Sequence, residues 1–335
     1  GESRMSLIIA MLMLGIIIMI HEFGHFLFAK LNGIGVIEFS LGMGPRLFSF
    51  EKGGTRYSFK ILPFGGSCMM LGEDEGITDE SAFNNKSVWA RISVVAAGPV
   101  FNFILAFGLS MVLIGITGYD TTRLAGVVDG YPAQAAGMEA GDVIKSINGR
   151  KVHSYRDINW YLFTHPQKSL KVTWERTEEG GGTERFSTEL EPVFSAENIG
   201  QLLVHSAYEV QYWIHYVFDT FYMMFHGMVS VNDISGPVGI VNAIDTTVDE
   251  TAPYGLSAVV LMLINFTILL SANLGVMNLL PIPALDGGRL VFLIIEAVRG
   301  KPIDKEKEGM VHMAGMMVLL ALMVLILFND VRKLF

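Results

Sequence analysis

Cysteine and charged side chains are both scarce in this chain. Its 335 residues include a single cysteine, Cys68, which excludes an intrachain disulfide and any cysteine-rich zinc site. Charged residues make up 17% of the chain, below the usual quarter of soluble domains. Hydrophobic residues make up 51%, and the mean hydropathy is +0.44. This composition predicts an integral membrane protein with room for one soluble domain.

The first apolar run, residues 5–20, leads directly into the motif His21-Glu22-Phe23-Gly24-His25. On a helix the two histidines lie four residues apart on one face, where two neutral imidazoles can hold one Zn²⁺. Glu22 beside them can take a proton from the attacking water. Ionisable side chains are costly inside a bilayer and usually mark function, so a chance match is the weaker interpretation.

A catalytic zinc needs a third protein ligand and an open position. We choose Asp286, because it follows a break at Pro281 and Pro283, whose rings forbid regular helix hydrogen bonding. Unwound backbone at membrane depth is tolerated only inside protein or beside a water-filled cavity. The alternative is that Asp286 only caps the helix that begins at Gly287.

The hydrophobic pattern predicts an α-helical polytopic membrane protein with a membrane-associated β-hairpin and an inserted α+β domain. About four transmembrane helices are expected, at about residues 5–28, 88–117, 254–277 and 310–328. The expected organisation is a first membrane part at 5–118 with the hairpin region at 36–71, the inserted domain at 119–197, an amphipathic helix and loop at 198–253, and a second membrane part at 254–335.

Several segments have competing interpretations. Strands at 47–51 and 56–62 form either a plain connecting hairpin or a sheet that dips towards the bilayer and offers an edge to an extended substrate, and we favour the second. The apolar stripe in 207–230 carries several polar residues, which favours a helix in the membrane interface over a further span. We also expect a turn at 235–240 and a solvated acidic linker at 73–80.

The number of membrane crossings and the distribution of charge together predict how the protein is oriented in the membrane. Asp286 returns to the side of His25 only if the segment 207–230 does not span the membrane. Lys and Arg number seven in residues 30–91 and five in 289–307, whereas residues 118–255 hold nine Lys/Arg and eighteen Asp/Glu. The short loops therefore favour a metal site towards the cytoplasm, and the inserted domain then lies outside it.

Residues 127–152 closely resemble part of a PDZ domain, with the turn Gly141-Asp142 and a hairpin turn at Asn148-Gly149. The resemblance implies either a groove that binds peptide ends by strand addition or a steric screen. The sequence leaves both roles open.

Four features together resemble the site-2 protease family of intramembrane zinc metalloproteases. They are the motif from His21 to His25, Gly98-Pro99 with Asn102, the PDZ-like insert, and the segment from Asn278 to Gly287. The likeness is greatest to the bacterial RseP/RasP-like branch, here with a single PDZ domain. Asn102 itself is most simply read as a hydrogen-bonding group between helices.

The resemblance implies a role for each motif residue. Zn²⁺ is expected on His21, His25 and Asp286, with Glu22 as the catalytic general base and then acid. The substrate-binding residues are expected to be Asn278, Pro281 and Pro283.

The resemblance also implies substrates and location. The expected reaction is cleavage of transmembrane segments in single-pass membrane proteins that were already trimmed outside, such as anti-sigma factors and remnant signal peptides. The expected location is the bacterial cytoplasmic (inner) membrane, with the lipid bilayer as a partner and no nucleic acid. The alternative is a non-proteolytic zinc-binding adaptor that acts through its PDZ domain, and such an adaptor has no use for Glu22.

Overall fold

The chain folds into two compact units. The computed structural model describes residues 2–73, 77–127, 133, 136–165, 170–176, 198–226, 228 and 237–332. The first unit combines residues 1–106 with 229–335, and the second consists of residues 107–228.

The first unit begins with α1 (Glu2–Leu31), a helix of 30 residues that carries the long apolar run. Ala10 and Ile17 on one side are buried, while Leu12 stays largely exposed, as expected for a helix with both protein and lipid neighbours. Lys30 in the last turn complements the negative end of the helix dipole.

Two long antiparallel strands follow, β1 (Val36–Lys52) and β2 (Thr55–Met70). Each strand doubles back on itself near glycines with positive φ, Gly42 and Gly44 in β1 and Gly65 in β2. The register therefore sets four segments side by side, in the order 66–70, 36–41, 55–60 and 46–52. Among the described residues, no strand pairs with the outer side of segment 66–70, so this segment is an edge.

The helix α2 (Val88–Thr117) completes the first part of the chain and continues through Pro99. Side chains from α1, the sheet and α2 share one apolar core with a residue far along the chain. Its buried members are Ala29, Ile34, Val36, Met70, Phe83, Val94, Val95 and Leu293.

The second unit contains a small antiparallel sheet of β3 (Val143–Ile147), β4 (Arg150–Lys151) and β5 (Val172–Glu175), in the order β4-β3-β5. The helix α3 (Tyr155–Thr164) starts at a capping box between Ser154 and Asp157. Residues 177–197 of the expected inserted domain lie outside the described residues, and the PDZ assignment stays a prediction.

The helix α4 (Ile199–Phe225) closes the second unit. Arg156 of α3 donates two hydrogen bonds, of 2.9 and 2.7 Å, to the Glu209 carboxylate. Arg150 forms a further ion pair of 2.6 Å with Asp219. These pairs join α4 to the sheet and to α3.

The expected turn at 235–240 is wrong from its third residue onward, because a helix, α5 (Pro237–Thr251), begins there. Proline is well suited to the first position of a helix, where no N–H bond is lost. Ile244 of α5 is fully buried in a cluster with Ala10 and Met13 of α1, so packing stabilises a segment that its local composition presents as a turn.

Three helices complete the first unit: α6 (Leu256–Leu279), α7 (Asp286–Arg299) and α8 (Lys305–Arg332). The break between α6 and α7 coincides with the predicted one at Pro281 and Pro283.

Four helices of the described residues are long and apolar enough to cross a membrane, which confirms the predicted number. Their spans are Leu7–Leu31, Val88–Thr117, Leu256–Leu279 and Glu306–Phe328. The helix α4 is not among them, and its place in the membrane interface stays a prediction.

Candidate metal centre

Three ligand-type side chains from distant parts of the first unit converge. The Nε2 atoms of His21 and His25 are 3.2 Å apart. The Oδ2 atom of Asp286 lies 3.1 Å from the first and 3.5 Å from the second. This convergence is the one that the sequence predicted. It is also the one group of ligand-type side chains in the described residues that is close enough to hold a metal ion.

His25 is oriented by α2. Its Nδ1 atom lies 2.9 Å from the carbonyl oxygen of Val94. A carbonyl oxygen can only accept, so Nδ1 carries the proton and Nε2 keeps its lone pair. This tautomer presents Nε2 as a metal ligand.

His21 is oriented by Asn102, which is fully buried. The Nδ2 position of this amide lies 3.1 Å from His21 Nδ1. A half-turn of the amide exchanges its nitrogen and oxygen, and the oxygen then accepts the Nδ1 proton and leaves Nε2 free to ligate. Asn102 therefore does more than hydrogen-bond between helices, since its partner His21 is a candidate metal ligand.

The close approach of α1 and α2 depends on Gly98. A methyl carbon at this position would lie 2.2 Å from His25 Nε2 and 2.8 Å from His21 Cε1. Only a residue without a side chain fits against both imidazoles. Gly98 and Asn102 are four residues apart and thus lie on one face of α2, which is the sequence signal that could have predicted their joint role.

Asp286 reaches the histidines through the break after α6. In this loop the N–H of Leu285 donates to the carbonyl of Ile282 at 3.2 Å, and Ala284 has a φ of +78°. The structure argues against a capping role for Asp286, because the residue in the N-cap position of α7 is Leu285, without a side-chain bond. The Oδ2 atom of Asp286 is buried and forms no hydrogen bond of standard geometry with the described residues, although the two imidazole nitrogens lie 3.1 and 3.5 Å away.

The ligand set fits a zinc ion. Two imidazole nitrogens and one carboxylate oxygen make a common catalytic set, and tetrahedral Zn bonds of about 2.0–2.1 Å put neighbouring ligand atoms about 3.3 Å apart. The observed separations of 3.1, 3.2 and 3.5 Å match that spacing. The unbonded Asp286 oxygen is explained if a cation is its partner.

A cavity of about 270 Å³ is lined by two of the three candidate ligands, His21 and Asp286. Its lining includes Glu22, which accepts a hydrogen bond from the backbone N–H of Cys68 in the edge segment. Asn278 also lines it, with Nδ2 3.5 Å from His21 Nε2. Gly66 of the edge segment packs on Glu22, since an added methyl carbon would be 2.9 Å from its Cγ. The predicted catalytic and substrate-binding residues Glu22 and Asn278 therefore face one shared space.

Three of the predicted site residues, His25, Pro281 and Pro283, do not line this cavity. Ala284, Leu285 and Asp286 line it, but the two prolines are not among its lining residues. Pro283 instead packs against α8, where Gly315 faces it. Their binding of substrate stays a prediction.

Two ion pairs anchor α7, which carries Asp286. Arg91 of α2 pairs with Glu296, and Glu73, just after β2, pairs with Arg289. The expectation of a solvated acidic linker is therefore wrong for Glu73. Nothing local in the sequence distinguishes Glu73 from the exposed acidic residues near it, because its partner lies more than 200 residues away.

Comparisons with known proteins agree with this chemistry. A family model described as Peptidase family M50 matches residues 9–322. The zinc metalloprotease RasP of Shouchella clausii is 33% identical and covers 96% of this chain and 97% of its own. The regulator of sigma-W protease RasP of Bacillus subtilis is 31% identical, covering 98% and 99%. The zinc metalloprotease RasP of Bacillus licheniformis is 30% identical, covering 99% and 100%.

Proposed function

Because the chain belongs to peptidase family M50, the site-2 proteases, we propose that it cleaves transmembrane segments of membrane proteins at a zinc ion held by His21, His25 and Asp286. The protein is a zinc metalloprotease with several membrane-spanning helices. The convergence of three ligand atoms beside Glu22 is the observation that carries the proposal.

Each catalytic step falls to a residue at the cavity. Zinc, when bound, lowers the pKa of its water towards ~7 and polarises the scissile carbonyl. Glu22 takes the proton of the attacking water and later delivers it to the leaving amine. The N–H of Cys68 holds the carboxylate of Glu22 in place. Asn278 donates its amide to the oxyanion that develops on the substrate carbonyl.

A substrate helix must unwind before it can react, because a helical carbonyl is shielded and already hydrogen-bonded. The edge segment 66–70 lies beside Glu22, and no described strand pairs with its outer side. An unwound substrate strand that adds to this edge would pass the metal ligands in extended form. The register favours this part of the hairpin over segment 47–51, which forms the opposite side of the sheet.

The substrates that we propose are single-pass membrane proteins already trimmed outside the cell, such as anti-sigma factors and remnant signal peptides. The name of the Bacillus subtilis relative, a regulator of sigma-W protease, supports the first class. The distribution of Lys and Arg supports a bacterial cytoplasmic membrane with the metal site towards the cytoplasm. The inserted domain, outside, would then screen substrates by size or bind their new ends.

The test is Glu22→Gln in the full chain, purified in detergent with a model transmembrane substrate. This variant should keep zinc and lose at least about 100-fold in cleavage rate, since a general base contributes ~10²–10⁴. Glu250→Gln, at an exposed glutamate, is the matched control and should cleave normally.

Two outcomes contradict the proposal. Undiminished cleavage by the Glu22 variant would remove the mechanism. A wild-type protein that holds zinc and cleaves no transmembrane substrate would favour the adaptor alternative.

A further inference from the structure

The loop that carries Asp286 is held in an unfavourable backbone conformation. Ala284, two residues before the ligand, has a φ of +78°, a region that residues with a Cβ atom rarely adopt. Such conformations persist only where the surroundings enforce them. The contacts that enforce this one therefore control where the Asp286 carboxylate lies.

One enforcing contact comes from α8. The N–H of Ala284 donates to His312 Nδ1 at 2.9 Å, so this nitrogen acts as an acceptor and the imidazole is neutral. The ring itself is fixed: its centroid lies 5.5 Å from that of Phe292, and its Nε2 lies 3.9 Å from Glu308, one turn earlier on α8. The His312 side chain is only 17% exposed.

A second contact comes from the same face of α8. A methyl carbon at Gly315 would lie 2.4 Å from Pro283 Cβ and 2.7 Å from its carbonyl oxygen. Residues three apart share a helix face. From this one face of α8, His312 contacts Ala284 and Gly315 contacts the preceding residue, Pro283.

The loop that carries Asp286 therefore separates the proposed metal site from α8. On one side Ala284 lines the cavity that His21 and Asp286 also line. On the other side it lines a second cavity, of about 500 Å³, together with His312. A displacement of Ala284 towards α8 would draw Asp286 away from the two histidines.

We propose that His312 is a positioning residue, whose acceptor nitrogen holds the loop so that Asp286 completes the metal site. This inference rests on the proposed function, because it takes Asp286 as a zinc ligand. It assigns to the last transmembrane helix a part in metal binding, although α8 contributes no ligand.

The experiment compares His312→Phe, which removes the acceptor, with His312→Asn, whose side-chain oxygen can replace it. His226→Phe, the same exchange at an exposed histidine of the second unit, is the control. Zinc affinity is measured by competition with a chromophoric chelator, and kcat and KM are measured on a model transmembrane substrate with zinc in excess.

His312→Phe should bind zinc about 10–100-fold more weakly, the usual cost of an altered contact behind a metal ligand. Its kcat should fall while KM stays within about threefold, because the perturbation reaches the metal and not the substrate edge. His312→Asn should restore both quantities to within about threefold of the wild type, as the control should.

Unchanged zinc affinity in a folded His312→Phe variant would overturn the inference. Equal losses of zinc affinity in the Phe and Asn variants would also overturn it, because the loss of packing alone would then explain them. If the Phe variant does not fold, Gly315→Ala decides, because its methyl group displaces the same loop, and normal zinc affinity in that variant would refute the role. Failure of the proposed function is distinct, since the wild type itself would then bind no zinc or cleave nothing.

Discussion

The close packing of Gly98 against the imidazoles of His21 and His25 gives the sharpest prediction, for Gly98→Ala. The added carbon would lie 2.2 Å from His25 Nε2, 2.5 Å from its Cε1 and 2.8 Å from His21 Cε1. Non-bonded heavy atoms prefer separations of about 3.5 Å or more, so either His25 or α2 must move by about 1 Å. Metal ligands tolerate errors of only about 0.2 Å. His25 therefore cannot stay a ligand while α2 keeps its place.

The expected magnitude follows from that displacement. Disturbed contacts behind a metal ligand cost about 10–100-fold in affinity, and the clash here falls on the ligand itself. We expect zinc affinity to fall by at least about 100-fold, or about 2.8 kcal/mol. Cleavage at limiting zinc should fall by a similar factor, and zinc per protein chain after dialysis should approach zero.

A matched substitution on the same helix separates this clash from a general effect of alanine. At Gly108 an added methyl carbon meets no heavy atom within 4 Å. Gly108→Ala should leave zinc content and cleavage unchanged, and alanine favours helix by about 0.5–1 kcal/mol over glycine. If Gly98→Ala holds zinc within about threefold of Gly108→Ala, then the two imidazoles do not ligate zinc in the arrangement described.

Two further predictions concern residues beside the ligands. Asn102→Leu should weaken zinc binding about 10–100-fold, whereas Asn102→Asp should keep it, because a carboxylate can also accept a hydrogen bond from the His21 Nδ1 proton. Competition with a chelator measures the zinc affinity of both variants. Equal losses of affinity would contradict the role of Asn102 as an acceptor. Burial raises the pKa of the Cys68 thiol to about 12, so iodoacetamide at pH 8 should alkylate the folded protein far more slowly than the urea-unfolded chain, where a free thiol has a pKa of about 8.5. Mass spectrometry follows the adduct, and equal rates would show that the half-buried Cys68 thiol is not shielded beside Glu22.

The parts of the site that depend on local spacing were predictable. His21 and His25 share a helix face by their four-residue separation. The choice of Asp286 used a different signal, since two prolines at membrane depth require a protein-lined or water-filled setting. The four membrane-crossing helices followed from length and hydropathy alone.

The parts that depend on long-range packing were not predictable. Pro237 starts a helix because Ile244 finds a buried place between other helices, and no local pattern encodes those neighbours. Glu73 is half-buried where it pairs with Arg289. The doubling back of β1 and β2 makes segment 66–70 the edge beside Glu22, whereas the sequence drew attention to the hairpin strands near its turn.

The charges of the site give a reason for its architecture. Two carboxylates, Glu22 and Asp286, border one cavity together with the imidazole of His21. The hydrogen-bond partners of His21 and His25 favour both imidazoles as neutral ligands. Buried carboxylates are costly unless they are paired. A divalent cation supplies the opposite charge, and three ligands leave an open position for water. Two ion pairs of α7, Arg91 with Glu296 and Arg289 with Glu73, are already satisfied within the protein. A cation bound by Asp286 would also offset the charge of Glu22 in the same cavity, so the residues proposed for hydrolysis would make the site depend on its metal.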